Sequence, residues 1–185
     1  MTDLFRVPSI SSPLAAEIQP PGSKSITNRA LVCAALAQGP SQLNGTLASE
    51  DTLVMVQSLR KLGVTIAPGP TNTTLTVSPA KAIETRHDLD LDVANSGTTI
   101  RFLAALLATQ PGEYRLDGTE RMRERPAQDL LDALEQLGVR GKCTYGNGCP
   151  PIVINTEGLP GGEARIRGDI SSQFLSGLLM AAPFA

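Results

Sequence analysis

Tryptophan is missing from this 185-residue chain, and aromatic residues make up only 3% of it. A protein that stacks nucleobases on aromatic platforms is therefore not expected. A single histidine, His87, is too few for Ser-His-Asp or Cys-His catalysis. The cysteines, Cys33, Cys143 and Cys149, are an odd set without metal-ligand spacing. They read as reduced thiols, Cys33 as a small core residue, and no metal is expected. No apolar run reaches ~18 residues, so no helix should span a membrane. The opening Met1-Thr-Asp-Leu-Phe-Arg6 lacks the apolar core of a signal peptide, which points to the cytoplasm. A net charge of −2 gives no global attraction to nucleic acid or membrane.

What is present is an ordinary globular composition, 41% hydrophobic and 18% charged. The most informative stretch is Pro21-Gly-Ser-Lys-Ser-Ile-Thr-Asn-Arg-Ala30 and the apolar run after it to Ala37. It predicts a loop followed by a helix buried nearly all round. A polar first turn on a buried helix aims free N–H groups and the positive end of the dipole at something, and an anion fits best. Lys24 and Arg29 add full charges. The segment is not a P-loop: Gly22 and Lys24 are separated by Ser23, and Glu17 stands where the first glycine is required.

Read in order, the chain shows a short strand candidate at Leu14 to Ile18, the Lys24 helix, a strand from Ser41 and a helix capped at Ser49 with acids in its first turn. Two strands follow, then one at Leu89 to Val93 and a second apolar helix opened by Asn95-Ser-Gly-Thr98. A repeat emerges. Leu43-Asn-Gly45 returns as Leu116-Asp-Gly118, and Leu59-Arg-Lys-Leu-Gly-Val64 as Leu134-Glu-Gln-Leu-Gly-Val139. The unit is βαβαββ. Units near 22–84 and 85–157 read as complete. A third, 158–185, opens with a strand at Ala164 to Arg167 and a helix after Ser171. The fold class is α/β with α+β repeats, pseudo-threefold, its buried parallel helices covered by sheets.

The repeat turns one helix mouth into three, at Ser23-Lys-Ser25, Asn95-Ser-Gly97 and Ser171-Ser-Gln173. Each alone is an ordinary N-cap; in register, and with Lys24 and Arg29 beside them, they suggest one anion site. Arg121, Arg123 and Arg125 form a second basic group, either a solvated charge run or a set that reaches a carboxylate or phosphate. Spacing leaves that choice open. A non-catalytic βαβαββ binding or scaffold domain is the rival class.

Five motifs carry a family resemblance: Pro21-Gly-Ser-Lys-Ser-Ile-Thr-Asn-Arg-Ala30, Asn95-Ser-Gly-Thr-Thr-Ile-Arg101, Arg121-Met-Arg-Glu-Arg-Pro126, Cys149-Pro-Pro151 and Ser171-Ser-Gln-Phe-Leu175. In this order they resemble the 5-enolpyruvylshikimate-3-phosphate synthases. Those enzymes join shikimate-3-phosphate and phosphoenolpyruvate through a tetrahedral intermediate, without metal or organic cofactor. The sister UDP-N-acetylglucosamine enolpyruvyl transferases share the fold but have Lys-Asn where this chain has Lys24-Ser25, and a reactive loop cysteine.

The resemblance implies site roles. Lys24 touches both substrates. Ser25 and Arg29 hold the carboxylate side of shikimate-3-phosphate, Ser171 and Ser172 bind its phosphate, and Gln173 lies over its ring near both ligands. Asn95, Gly97 and Arg121 belong to the phosphoenolpyruvate pocket. Phe102 replaces a proline common in the family. Residues 1–21 are expected to join the family's other domain and 22–185 to form most of one repeat domain. The proton-transfer acids belong to the remaining C-terminal portion of the enzyme, so this chain alone is expected to bind substrate weakly and not to turn over.

Overall fold

The computed structural model describes residues 9–80 and 86–185. The elements run α1 (Lys24–Leu36), β1 (Ser41–Leu43), α2 (Glu50–Lys61), β2 (Thr65–Pro68), β3 (Leu75–Ser78), β4 (Arg86–Asp92), α3 (Gly97–Ala108), β5 (Gly112–Asp117), α4 (Gln128–Gln136), β6 (Arg140–Cys143), β7 (Ile152–Thr156) and α5 (Ser172–Ala181). Single 3-10 turns lie at Met122–Glu124 and Ala182–Phe184. Among the described residues no helix is long and apolar enough to cross a membrane.

The repeat is visible in hydrogen bonds. Helices α2 and α4 both end in Leu-Gly-Val, with Gly63 at φ 90° and Gly138 at φ 86°. The N–H of Val64 reaches the Leu59 carbonyl, and that of Val139 the Leu134 carbonyl, both at 3.0 Å. This is a Schellman stop, and only glycine adopts that left-handed backbone cheaply. Strands β1-β3-β2 form one antiparallel sheet; β5-β7-β6 repeat that order in a second, which adds β4 parallel to β5. Val77 sits opposite Ser41 and Ile66, and Ile154 opposite Tyr114 and Gly141, so equivalent apolar residues of β3 and β7 face the core.

Helix α3 is the centre of the packing. Every residue of it except Arg101 is buried, and it touches α1, α2, α4 and α5. Phe102, Leu103, Leu106 and Leu107 are each at most 2% exposed. Full burial of such side chains stabilises by ~1.5–3 kcal/mol apiece, so α3 holds its neighbours in fixed positions.

Three expectations are corrected. Helix α1 is buried on one face only: Leu31, Val32 and Ala34 pack inward, while Ile26 is 68% exposed and Cys33 is exposed rather than in the core. Nothing among the described residues covers that outer face. No strand forms at Leu14–Ile18, where both end residues are exposed and the backbone has no strand partner, so the first unit reads αβαββ rather than βαβαββ. No strand forms at Ala164–Arg167 either. The Gln136 amide satisfies the Arg165 backbone instead, donating to its carbonyl at 3.1 Å and accepting from its N–H at 2.9 Å.

Candidate active site at the helix mouths

Each of the three expected mouths has a serine cap. Ser23 accepts from the Ile26 N–H, Ser96 from Thr99 and Ser171 from Gln173. These hydroxyls satisfy one orphan amide each.

The polar side chains fall into two groups. The first lines a pocket of about 170 Å³ formed by Lys24, Glu50, Asp51, Asn95, Ser96 and Arg125. Asp51, in the first turn of α2, accepts from the Lys24 ammonium at 2.9 Å through Oδ2 and from the Ser96 hydroxyl at 2.7 Å through Oδ1. Burial works to raise the Asp51 pKa, but Ser96, Lys24 and the Arg125 charge outweigh it and hold the carboxyl below its ordinary value. Asn95 Oδ1 is buried without a partner. Gly97 lets Arg125 in: a Cβ on Gly97 would lie 2.5 Å from the Arg125 guanidinium.

The second group lies between α1, α3 and α5. Arg29 donates to the Ser25 carbonyl at 3.1 Å and to the Ser176 hydroxyl at 3.0 Å, with its guanidinium 5.3 Å from the centre of the Phe102 ring. Phe102 thus backs Arg29 with an aromatic face. Gln173 is clamped at both ends of its amide. Arg101 donates to its Oε1 at 2.6 Å, and its Nε2 donates to Thr98 Oγ1 at 2.9 Å. Arg101 also lies 4.9 Å from the Phe174 ring centre. Burial, and then the Arg125 charge, lowers the Arg101 pKa. Ser171 and Ser172 sit at the start of α5, the first half-buried and the second exposed.

The loop after β5 separates its three arginines. Asp117 accepts from Arg123 Nε at 3.0 Å and from its NH2 at 2.7 Å, and also takes the Gly118 N–H and Arg115. Arg123 is therefore anchored to the end of β5. Arg121 is exposed and lies outside the pocket lining, whereas Arg125 is part of it. Arg125 is the arginine that lies beside Asn95 and Gly97. Spacing alone could not choose among the three, because the loop turns through Met122–Glu124 before delivering Arg125.

Sequence reasoning missed Asp51 and Arg101. Asp51 passes for an ordinary acid in a helix first turn. Arg101 carried a usable signal, as the one charge in an apolar helix. Among the described residues no group of three or more His, Cys, Asp and Glu is placed to hold a metal. Burial raises the Cys143 pKa, with Cys149 and Asp132 adding to it, so Cys143 is no activated nucleophile.

The family model described as EPSP synthase (3-phosphoshikimate 1-carboxyvinyltransferase) matches residues 8–185. The chain belongs to the EPSP synthase family. A 3-phosphoshikimate 1-carboxyvinyltransferase of Opitutus terrae is 46% identical over 187 residues, covering 100% of this chain and 43% of that protein. One from Shewanella baltica is 46% identical over 170 residues, covering 91% and 40%. The solved EPSP synthase from Acinetobacter baumannii superposes with a TM-score of 0.79 at 30% identity, covering 89% of this chain and 38% of that one. The enolpyruvyl transferase NikO from Streptomyces tendae matches at TM-score 0.59 and 16% identity, covering 85% and 35%, a likeness of fold. The EPSP synthase family chain described here spans 43% and 40% of the lengths of the two curated relatives.

Proposed function

We propose that this chain carries the shikimate-3-phosphate side of an enzyme that transfers the enolpyruvyl group of phosphoenolpyruvate to shikimate-3-phosphate, a step of aromatic amino acid biosynthesis. The observation that carries the proposal is the convergence of Lys24, Asn95, Ser96 and Arg125 on one pocket, with Arg29 and Gln173 next to it. Two polyanions meeting there would be held by fixed cations and free helix amides, which is electrostatic preorganisation together with positioning.

In this proposal Lys24 stands between the two ligands. Ser25 and Arg29 take the carboxylate side of shikimate-3-phosphate, Ser171 and Ser172 its phosphate, and Gln173 covers the ring. Asn95, Gly97 and Arg125 line the phosphoenolpyruvate pocket, with Arg125 in the role first expected of Arg121. Residues 22–185 act as most of one repeat domain. The acids that move protons come from the remaining portion of the enzyme, in keeping with relatives more than twice as long. Three unpaired cysteines suit a reducing compartment, and we place the protein in the cytoplasm.

Calorimetry of the 185-residue chain with shikimate-3-phosphate tests the function. Saturable heat at millimolar ligand is expected, with no turnover when phosphoenolpyruvate is added. A folded sample that gives no heat favours a scaffold domain. Arg125→Ala should weaken phosphoenolpyruvate binding at least ~10-fold, the loss of one charge-assisted contact. Arg121→Ala should leave it within about twofold, as for a solvated surface charge.

A further inference from the structure

A carboxylate in a pocket meant for anions opposes its own ligand, and its presence there calls for a physical reason. Asp51 uses one oxygen for the Lys24 ammonium and the other for the Ser96 hydroxyl. Lys24 opens α1, Asp51 lies in the first turn of α2 and Ser96 caps α3. The Thr99 hydroxyl adds a bond to the Asp51 carbonyl at 3.4 Å. One residue thus ties three helix mouths together.

The dependence on it is uneven. Arg29 is held by Ser25, Ser176 and Phe102, and Gln173 by Arg101 and Thr98. Among the described residues Lys24 has Asp51 as the sole hydrogen-bond partner of its ammonium, and its side chain is 46% exposed. A lysine is a hydrated point charge on a flexible stem, and untethered it samples solvent. Glu50, on the neighbouring residue, lines the same pocket but makes no ion pair among the described residues. A simple preference for acid at a helix start would be served by Glu50 alone.

We infer that Asp51 is a positioning residue, which fixes the Lys24 ammonium against the N-cap of α3 so that Lys24, the α3 amides and Arg125 address the same ligand. Asp51 gives up some electrostatic attraction in return for a defined cation position. The ligand arm of its test rests on the function proposed above; the spectroscopic arm does not.

Asp51→Asn keeps the shape and an acceptor for Ser96 but removes the charge that holds Lys24. In the parent, the two Lys24 ε-methylene protons should give separate NMR signals, as for an immobilised side chain; in Asp51→Asn they should merge. Phosphoenolpyruvate should bind Asp51→Asn about 10-fold more weakly, although a repelling charge has gone, and Asp51→Glu should recover part of that loss. Inorganic phosphate, a probe of charge alone, should bind Asp51→Asn as well as or better than the parent. Unchanged Lys24 signals together with equal or tighter phosphoenolpyruvate binding overturn the inference.

If Asp51→Asn folds poorly, Lys24→Met replaces it. Loss of the pair should raise the Asp51 carboxyl titration midpoint, read by carbon NMR, with Ser96, Glu50 and Arg125 still in place; an unmoved midpoint overturns the inference. A parent that binds neither phosphoenolpyruvate nor shikimate-3-phosphate at millimolar concentration refutes the function and leaves the Lys24 signals to decide the role of Asp51.

Discussion

Adding one methyl group at two glycines separates packing from ligand recognition. At Gly118 a Cβ would stand 2.1 Å from the Ala94 carbonyl oxygen and 3.1 Å from Met122 Cβ. The first obstacle is backbone, already committed: the Ala94 carbonyl accepts from Thr119 at 3.0 Å, and Ala94 holds φ 47° just before the α3 cap. Neither side yields without moving the end of β5 or the start of α3. Overpacking of this kind costs ~3 kcal/mol. For a chain of this size Tm should drop by roughly 6–12 °C. At Gly97 the obstacle is different. The added Cβ meets the end of the Arg125 side chain at 2.5 Å and the Arg101 guanidinium, which is held by Gln173, at 3.3 Å. Arg125 swings aside and Arg101 need give only a few tenths of an ångström; Gly97 opens α3, where alanine's helix propensity returns at most ~0.5 kcal/mol, so stability should change little.

Affinity should reverse that order of severity. Under the proposed function, a displaced Arg125 would lose a charge-assisted bond to the ligand, ~1.5–3 kcal/mol, which is roughly 10- to 100-fold in phosphoenolpyruvate binding. Thermal melts followed by circular dichroism, and calorimetry on the same samples, measure both effects. Gly97→Ala melting as early as Gly118→Ala, or Gly97→Ala binding phosphoenolpyruvate like the parent, would refute the reasoning from these distances.

Further outcomes follow from single contacts. Asp117 is half-buried, which works to raise its pKa, but Arg123, the Gly118 amide and Arg115 more than offset this and lower it. Its stabilisation is therefore present above the unfolded carboxyl value of ~3.9 and fades as pH falls through the lower folded value. Asp117→Asn should cost ~1–2 kcal/mol at pH 7 and show a shallower loss of stability below pH ~4, measured by urea unfolding across pH; a constant difference at all pH values contradicts this. Asn28 is 0% exposed with neither amide atom partnered. Asn28→Leu should raise stability by ~1–3 kcal/mol, and a lower Tm would show that the amide is satisfied. Thr98→Val removes the acceptor of Gln173 Nε2. It should cost ~1 kcal/mol and weaken shikimate-3-phosphate binding severalfold, with an unchanged affinity counting against the clamp.

Local chemistry made much of this legible. Leu-Gly-Val after each amphipathic helix announced the repeat, and the structure makes the same 3.0 Å bond at Val64 and Val139. Serines before apolar runs announced helix mouths, and Ser23, Ser96 and Ser171 all cap. What stayed hidden depends on long-range partners. Leu14–Ile18 is a short strand candidate by sequence, but a strand exists only where another backbone receives it. Cys33 sits in an apolar run, yet α1 turns that position away from α2 and α3. The choice of Arg125 over Arg121 hinges on Asp117 gripping Arg123 and fixing the path of the loop.

The site also departs from the simplest form of the repeat argument. Three equivalent mouths suggest three equivalent sources of positive potential, yet the pocket beside Lys24 is bounded by α2 as well, which brings two acids to face two cations. Summed charge there is close to zero. Attraction at a distance is then weak, and selectivity must come from where each charge sits. An anion gains only if it meets Lys24, Arg125 and the α3 amides together, and it is repelled if it strays toward Asp51 or Glu50. That arrangement favours ligands with several separated anionic groups over a bare ion. The clamp on Gln173 by Arg101 and Thr98 extends the same logic to α5. Contacts of Arg29 with Ser176, and of Gln173 with Arg101 and Thr98, thus link α1, α3 and α5 and fix their polar groups relative to one another.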